Sequence, residues 1–269
     1  MVHTMTNTQN TYGYVDSAYL SVTTEQLHHF KTLTYEKMHV QPGHQILDLG
    51  CGPASDTIAL AGLVGKSGRV VGVDHDPDMI TAANQKAAAA GVSSNVTHEL
   101  HDAVRLPYAD NTFDSCRSER VFQHLPEPAQ ALAELVRVTK PGGWVVLMDA
   151  DWGSMSYHST LPAIEWKVKM AYAETCALHP TIGRELHHLM EQARLISITA
   201  IPMPLVFYDF PNANYVAVLE SRIKPRGLEG GYFTVDEFDR FNHDLRQLDA
   251  QGNFFAYICG IVAAGQKPD

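Results

Sequence analysis

Residues 45–52, Gln45-Ile46-Leu47-Asp48-Leu49-Gly50-Cys51-Gly52, set a short apolar run against a turn of small residues. Ile46, Leu47 and Leu49 read as a buried strand. Gly50 and Gly52 mark a sharp turn, because glycine reaches positive φ freely and lets a backbone lie close to a ligand. Ile58, Leu60, Ala61 and Leu63 then continue as a helix. In an open α/β sheet such a turn, at the carboxyl end of a strand, is where ligands bind. A dinucleotide fingerprint G-x-G-x-x-G needs a third glycine where Ser55 stands. Asp48 would also repel a pyrophosphate, whereas it suits a bound ammonium group.

Working outward, strands and helices alternate. Arg69 to Val73 is a second strand ending at Asp74. Asp76-Pro77 starts a helix, with Asp as cap and Pro at the first helical position, and the helix ends at Gly91. Val96 to Leu100, Phe113 to Ser118 and Trp144 to Met148 are further strands, with a helix from Pro128 to Thr139. This rhythm predicts βαβ units, a parallel sheet and helices on both faces. Upstream, Thr23 to His39 reads as a helix opened by a capping box at Thr23 and Gln26 and stopped by Pro42-Gly43.

Beyond Asp151 the rhythm loosens. Leu161 to Ala177, Ile182 to Arg194, Asn212 to Ile223 and Val235 to Asp249 read as helices. Ile196 to Phe207 is strand-like, and Pro202 and Pro204 place it at an edge or bulge. Phe254 to Ala264 is the last strand. The expected organisation is one domain over 1–269: an N-terminal helical cover (1–43), a ligand-binding core (44–150) and a second half (151–269) whose cap, about 208–251, is inserted before the last strand.

The chain has 269 residues, 45% of them hydrophobic, and a formal net charge of −10. That balance lacks the clustered Lys and Arg that phosphate backbones require, so nucleic acid is not an expected partner. Cys51, Cys116, Cys176 and Cys259 form no C-x-x-C pair, which predicts reduced thiols rather than a metal or redox motif. Met1 to Asn10 lacks the apolar run of a signal peptide, and no segment reads as a membrane span. A cytoplasmic protein is expected, and a homo-oligomer is left open.

Leu47-Asp48-Leu49-Gly50-Cys51-Gly52 resembles the first motif of class I S-adenosylmethionine-dependent methyltransferases. Val71-Gly72-Val73-Asp74 resembles the second-strand acidic motif. His101-Asp102-Ala103 with Leu106-Pro107-Tyr108 resembles the third, Phe113-Asp114 and His124-Leu125 the fourth, and Lys140-Pro141-Gly142-Gly143 the turn before the fifth strand. The resemblance spans about Gln45 to Asp149. It is nearest to enzymes of ubiquinone and menaquinone biosynthesis. It implies a Rossmann-like α/β fold with a seven-stranded, mostly parallel sheet and an antiparallel last strand.

The resemblance also implies roles. Asp48 and the backbone of Gly50, Cys51 and Gly52 would hold the amino-acid end of S-adenosylmethionine. Asp74 would accept both ribose hydroxyls, and Asp102 the adenine amine, with the Ala103 amide facing a ring nitrogen. His75 and Met79 would flank the adenine, and Ser118 would lie by the methionine portion. The product would be S-adenosylhomocysteine.

The acceptor side is less defined, because methyl transfer from a sulfonium needs mainly proximity and orientation. His124, Asp151 and Glu119 are the candidate catalytic residues, His124 being the side chain that titrates nearest neutrality. No Asn-Pro-Pro-Tyr-like motif follows the fourth strand, so amino-methylation of DNA adenine or glutamine is not expected. No metal is expected either, since a hard cation needs several oxygen ligands and the matching fourth-strand aspartate is missing. Tyr12, Tyr14 and Tyr19, with Phe207, Tyr208, Phe210, Tyr215, Tyr232 and Phe233, suggest an aromatic enclosure, and Gly227, Gly230 and Gly231 a flexible joint in a lid. The expected function is methylation of a small apolar or aromatic metabolite. The alternatives are a methyltransferase acting on RNA or protein, and a non-catalytic module that only binds the cofactor.

Overall fold

The computed structural model describes residues 28–269. The predicted capping box at Thr23 and the tyrosines at 12, 14 and 19 lie outside the described residues. Seven strands form one sheet in the order β3-β2-β1-β4-β5-β7-β6. They are β1 (Gln45–Leu49), β2 (Arg69–Asp74), β3 (Val96–Leu100), β4 (Phe113–Glu119), β5 (Thr139–Tyr157), β6 (Ile196–Phe207) and β7 (Ala256–Gln266). β1 pairs in parallel with both β2 and β4, while β7 runs antiparallel between β5 and β6. The fold is therefore the predicted Rossmann-like one. Strand order reverses between β1 and β4, the switch point at which open α/β sheets bind ligands.

Helices cover both faces. On one lie α1 (His28–Lys37), α2 (Ser55–Val64) and α3 (Pro77–Ala89). Phe30, Leu60 and Val64 pack there on Ile46, Val70 and Val146. On the other lie α4 (Pro128–Val138) and α6 (Ile182–Gln192). Leu132 and Leu135 of α4 and Leu186 of α6 meet Leu47, Val145 and Leu147 there. Asp76 caps α3 as predicted, its carboxylate accepting the Asp78 N–H at 2.8 Å.

α5 (Pro162–Thr175), α7 (Phe210–Val216), α8 (Lys224–Glu229) and α9 (Val235–Ala250) share a third core with the far ends of β5–β7. A capping box opens α9, with Thr234 and Glu237 exchanging hydrogen bonds.

Three elements differ from the sequence reading. β5 runs from Thr139 to Tyr157 rather than from Trp144 to Met148: Thr139 already pairs with Phe113 of β4, and β7 offers a pairing edge beyond a register shift between Asp151 and Ser156. β7 lies two residues later than expected. The helix predicted over 212–223 is split: α7 ends at Val216, and Leu219–Ile223 forms a wide turn in which the Ile223 N–H reaches the Val218 carbonyl at 3.1 Å. Val218 itself has φ 50°, a conformation that β-branched residues seldom adopt.

The Gly227 position is a close contact rather than a joint. A Cβ there would sit 2.2 Å from the Phe233 ring. Gly227→Ala is expected to lower unfolding free energy by about 1–3 kcal/mol, as overpacking does, and a urea titration indistinguishable from the wild type would contradict that packing role.

Candidate functional site

A cavity of about 670 Å³ opens at the carboxyl ends of the central strands. This is the size of a small-molecule site. The turn after β1 shapes its floor. Gly50 and Gly52 have φ 73° and 49°, and the N–H groups of Gly50 and Cys51 both donate to the Val73 carbonyl, at 2.7 and 3.0 Å. A Cβ on Gly50 would meet Val121 at 2.1 Å, so this glycine lets the segment after β4 close over the turn.

Asp74 ties two loops together. One carboxylate oxygen accepts the Gly52 N–H at 2.9 Å and the other the Asp76 N–H at 3.1 Å. A carboxylate has about four acceptor positions, so both oxygens keep capacity for a ligand. Burial works against its charge, but the His75 ring and these two N–H groups hold its carboxyl below the usual range. His75 stands at the rim with its side chain 85% exposed, Nδ1 3.4 Å from Asp74. Met79, Asp102 and Ala103 complete this wall. The Asp102 carboxylate accepts the Val104 N–H at 3.1 Å, which fixes that turn.

Asp48 lines the same cavity but belongs to a buried ionic network that the sequence reading missed. Arg117, fully buried on β4, reaches Asp48 at 3.2 Å, Asp56 at 3.1 Å and Glu119 at 2.6 Å. Lys31 of α1 reaches Asp56 at 2.6 Å and Glu119 at 2.8 Å. The Tyr35 hydroxyl donates to Asp56. Burial would raise the Asp56 carboxyl, yet Arg117 and Lys31 hold it down. Burial pushes the Asp48 carboxyl up to about 7 against the pull of Arg117. Arg120 also lies 3.6 Å from Glu119, so Asp56 meets two cations and Glu119 three, while Asp48 has only its 3.2 Å contact with Arg117. The signal was available: a sheet covered on both faces leaves an arginine in a central strand nowhere to go but inward, against carboxylates.

Glu119 is thus bound to Arg117 and Lys31. His124 is half-buried in the cavity wall, and burial together with Arg222 and Arg120 pushes its ring down to about 4. It is neutral at physiological pH, and its Nδ1 has no hydrogen-bond partner among the described residues. Gln123, unforeseen from the sequence, holds this corner together. Its N–H donates to Asp149 at 3.3 Å, and its side-chain oxygen accepts the Trp152 indole N–H at 2.7 Å.

Two predicted site residues are not in the cavity wall. Ser118 is buried, its hydroxyl donating to the Leu49 carbonyl at 2.9 Å. Asp151 gives both carboxylate oxygens to Arg184, at 2.8 and 2.7 Å. Of the aromatic residues expected to enclose an acceptor, Phe207, Phe210 and Phe233 are buried in the third core, and Tyr208 and Tyr215 are exposed. The apolar wall comes instead from Trp152, Leu178, Leu205, Val216 and Ile258.

Among the described residues no three His, Cys, Asp or Glu side chains gather as a metal-holding group. Because the fourth-strand aspartate of metal-dependent relatives is missing from the sequence, activity is expected to persist unchanged in EDTA, and a loss restored by magnesium would contradict this. No described helix is long and apolar enough to cross a membrane.

Comparison with known proteins agrees with this geometry. Residues 41–194 match a family described as a methyltransferase domain. A 37.1 kDa protein in transposon TN4556 of Streptomyces fradiae is 34% identical over 248 residues, 91% of this chain and 68% of its own length. Demethylmenaquinone methyltransferase of Bacillus cereus is 41% identical over 123 residues, which span 45% of this chain and 51% of that enzyme. Among solved structures, the YcgJ protein of Bacillus subtilis superposes with a TM-score of 0.61 at 19% identity, over 90% of this chain and 99% of its own. Phosphoethanolamine N-methyltransferase 2 of Haemonchus contortus, solved with S-adenosylhomocysteine, gives 0.55 at 19%, over 90% and 53%. With more than half of its length matching the family, and with the sheet and the glycine turn in place, the chain belongs to the S-adenosylmethionine-dependent methyltransferases.

Proposed function

We propose that this methyltransferase acts on a small, apolar or aromatic acceptor. The observation that carries this reading is a cavity with an acidic wall at the ends of β1 and β2 and an apolar wall formed by β5, β6, β7 and the segment 208–251. An acidic protein also has little attraction for a nucleic-acid acceptor.

The donor set fits the cofactor, a cation with an ammonium group, a ribose and an adenine. Asp48, whose one cation contact in the ionic network is Arg117, would take the ammonium group, beside the backbone of Gly50, Cys51 and Gly52. Asp74 would accept the ribose hydroxyls, and Asp102 with the Ala103 N–H would meet the adenine edge. Met79 and the rim residue His75 would flank the ring. Ser118 would act only through its backbone, its hydroxyl being bound to Leu49. When bound, the cofactor supplies a methyl group on a sulfonium, already activated for in-line displacement.

The chain's own contribution is then to hold the acceptor in line and keep water out. Orientation of this kind is worth about 7–11 kcal/mol of barrier. Trp152, Leu178, Val216 and Ile258 would hold an apolar body. His124, pushed down to about 4, is too weak a base to deprotonate an acceptor strongly, and would serve as a neutral hydrogen-bond partner. Glu119 would position the network rather than move a proton, and Asp151 would brace Arg184 outside the cavity.

Asp48 gives a pH signature. Its carboxyl is raised to about 7 in the folded protein, so it costs stability as pH rises through that value and costs none below its unfolded value near 4. A bound ammonium favours the ionised form. Affinity for S-adenosylhomocysteine is expected to be full above pH 7 and to fall by up to about tenfold per unit below it. Asp48→Asn should flatten that profile, and an identical slope in both proteins would refute the assignment. The function itself is tested by incubating the enzyme with radiolabelled S-adenosylmethionine and fractionated cell extract. Label in a small apolar product supports the reading, and label confined to protein or RNA overturns it.

A further inference from the structure

The cavity is divided electrostatically in a way that transfer to an apolar acceptor does not by itself require. Its cofactor half holds Asp48, Asp56, Asp74, Asp76 and Asp102, with Lys31 and Arg117 committed to the carboxylates of the ionic network, whereas its acceptor half holds Arg120, Arg222 and His124 among apolar side chains. The carboxylate nearest to that half, Glu119, is bound to Arg117 and Lys31 and lies 3.6 Å from Arg120. Arg222 makes no ion pair among the described residues. Its hydrogen bond is to the Cys176 carbonyl at 3.4 Å, a neutral and weak partner. Behind it Arg226 also donates to the Cys176 carbonyl, at 3.0 Å. The His124 ring in the same wall is neutral, with burial and the charges of Arg222 and Arg120 keeping it so.

A half-buried guanidinium facing an apolar wall is costly unless an anion meets it. The backbone adds a second, independent sign that Arg222 is deliberately placed. It sits in the wide turn Leu219–Ile223, entered through Val218 in the left-handed region. An ordinary helix would advance each side chain by about 100°, and the extra residue of the wide turn displaces that register. Such turns and such strained residues concentrate at binding sites. Arg120 is likewise held at φ 58°, its N–H donating to the Met148 carbonyl at 2.7 Å.

The geometry points to an acceptor that carries an oxyanion, a carboxylate or an ionised phenol or enol, on an apolar body, with Arg222 as its partner and Arg120 alongside. This rests on the small-acceptor reading above and narrows it from an apolar molecule to an apolar acid. An arginine fork matches such oxygens closely, and trading the Cys176 carbonyl for an anion strengthens the hydrogen bond. The acid would enter a pocket whose positive charge is complementary to it, opposite the acidic half that takes the cationic cofactor.

The experiment is calorimetric titration at about pH 8 of protein saturated with S-adenosylhomocysteine. The probes are two matched pairs: naphthalene carboxylate against naphthalene carboxamide, and para-nitrophenolate against para-nitroanisole. At least one anion is expected to bind at least tenfold more tightly than its neutral match, and which pair shows it separates carboxylate from phenolate. Arg222→Met should abolish the preference while leaving S-adenosylhomocysteine affinity unchanged, and Arg222→Lys should keep part of it. If the methionine variant loses cofactor affinity, Arg222→Gln is read by the same criteria. Equal binding of anions and neutral matches, or a preference that survives loss of the Arg222 charge, overturns the oxyanion site and leaves the apolar-acceptor reading standing. If no probe binds while S-adenosylhomocysteine does, the oxyanion proposal and the apolar-acceptor reading fall together.

Discussion

Arg117→Met should destabilise the protein by about 3–5 kcal/mol, the usual consequence of removing one partner from a buried ionic group. Methionine fills much of the space but leaves Asp48 without a cation, Asp56 facing Lys31, and Glu119 facing Lys31 and Arg120. The loss should be greater at pH 8 than at pH 5. Asp48 is already raised to about 7, and without Arg117 the Asp56 carboxyl, now held down, rises as well, so acid neutralises what arginine no longer does. Urea unfolding at the two pH values measures both effects. Adding Asp48→Asn should recover part of the loss, because it removes the carboxylate whose cation contact, Arg117, is gone. A loss under about 1 kcal/mol at pH 8 would mean that the network contributes little to the fold.

Asp74→Asn should weaken binding of S-adenosylhomocysteine by about a hundredfold or more. Two charge-assisted hydrogen bonds to ribose hydroxyls are at stake, each worth about 1.5–3 kcal/mol, and about 2.7 kcal/mol is a hundredfold in Kd. Asparagine is the cleaner probe than alanine, since alanine would also release the Gly52 and Asp76 N–H groups that Asp74 accepts. The asparagine oxygen can keep one of them. Thermal unfolding without ligand should change little. An unchanged dissociation constant by calorimetry would remove Asp74 from the ribose.

The parts of this molecule that could be read from the sequence are those set by neighbours along the chain. β1, β3 and β6 have the bounds predicted, because each is an apolar or alternating run closed by turn residues. The glycine turn and the Asp76 cap are local too. The acidic wall followed from family resemblance in the same stretch. What escaped is what separate segments build together. Arg117, Lys31 and Asp56 come from β4, α1 and α2, and nothing in any one of them announces the others. Nothing in the sequence around Arg222 marks it as a cavity residue, yet the turn entered at Val218 leaves it lining the cavity. The extension of β5 depended on β7, about a hundred residues later. Asp151 looked like a site residue because it follows a central strand, but a side chain from α6 claims it.

The prolines of β6 bear on how the molecule meets its own copies. Pro202 and Pro204 pair with Ile261 and Cys259 of β7, and β6 ends the sheet. Two residues apart, they face the same way, and neither has an N–H to offer. The outer rim of this twelve-residue strand therefore lacks donors at two successive outward positions. A strand from another molecule could not zip along it, and such blunted rims keep β-proteins from joining edge to edge. The opposite rim, β3, is only five residues long. Crowding during expression should therefore not drive this enzyme into aggregates joined along β6.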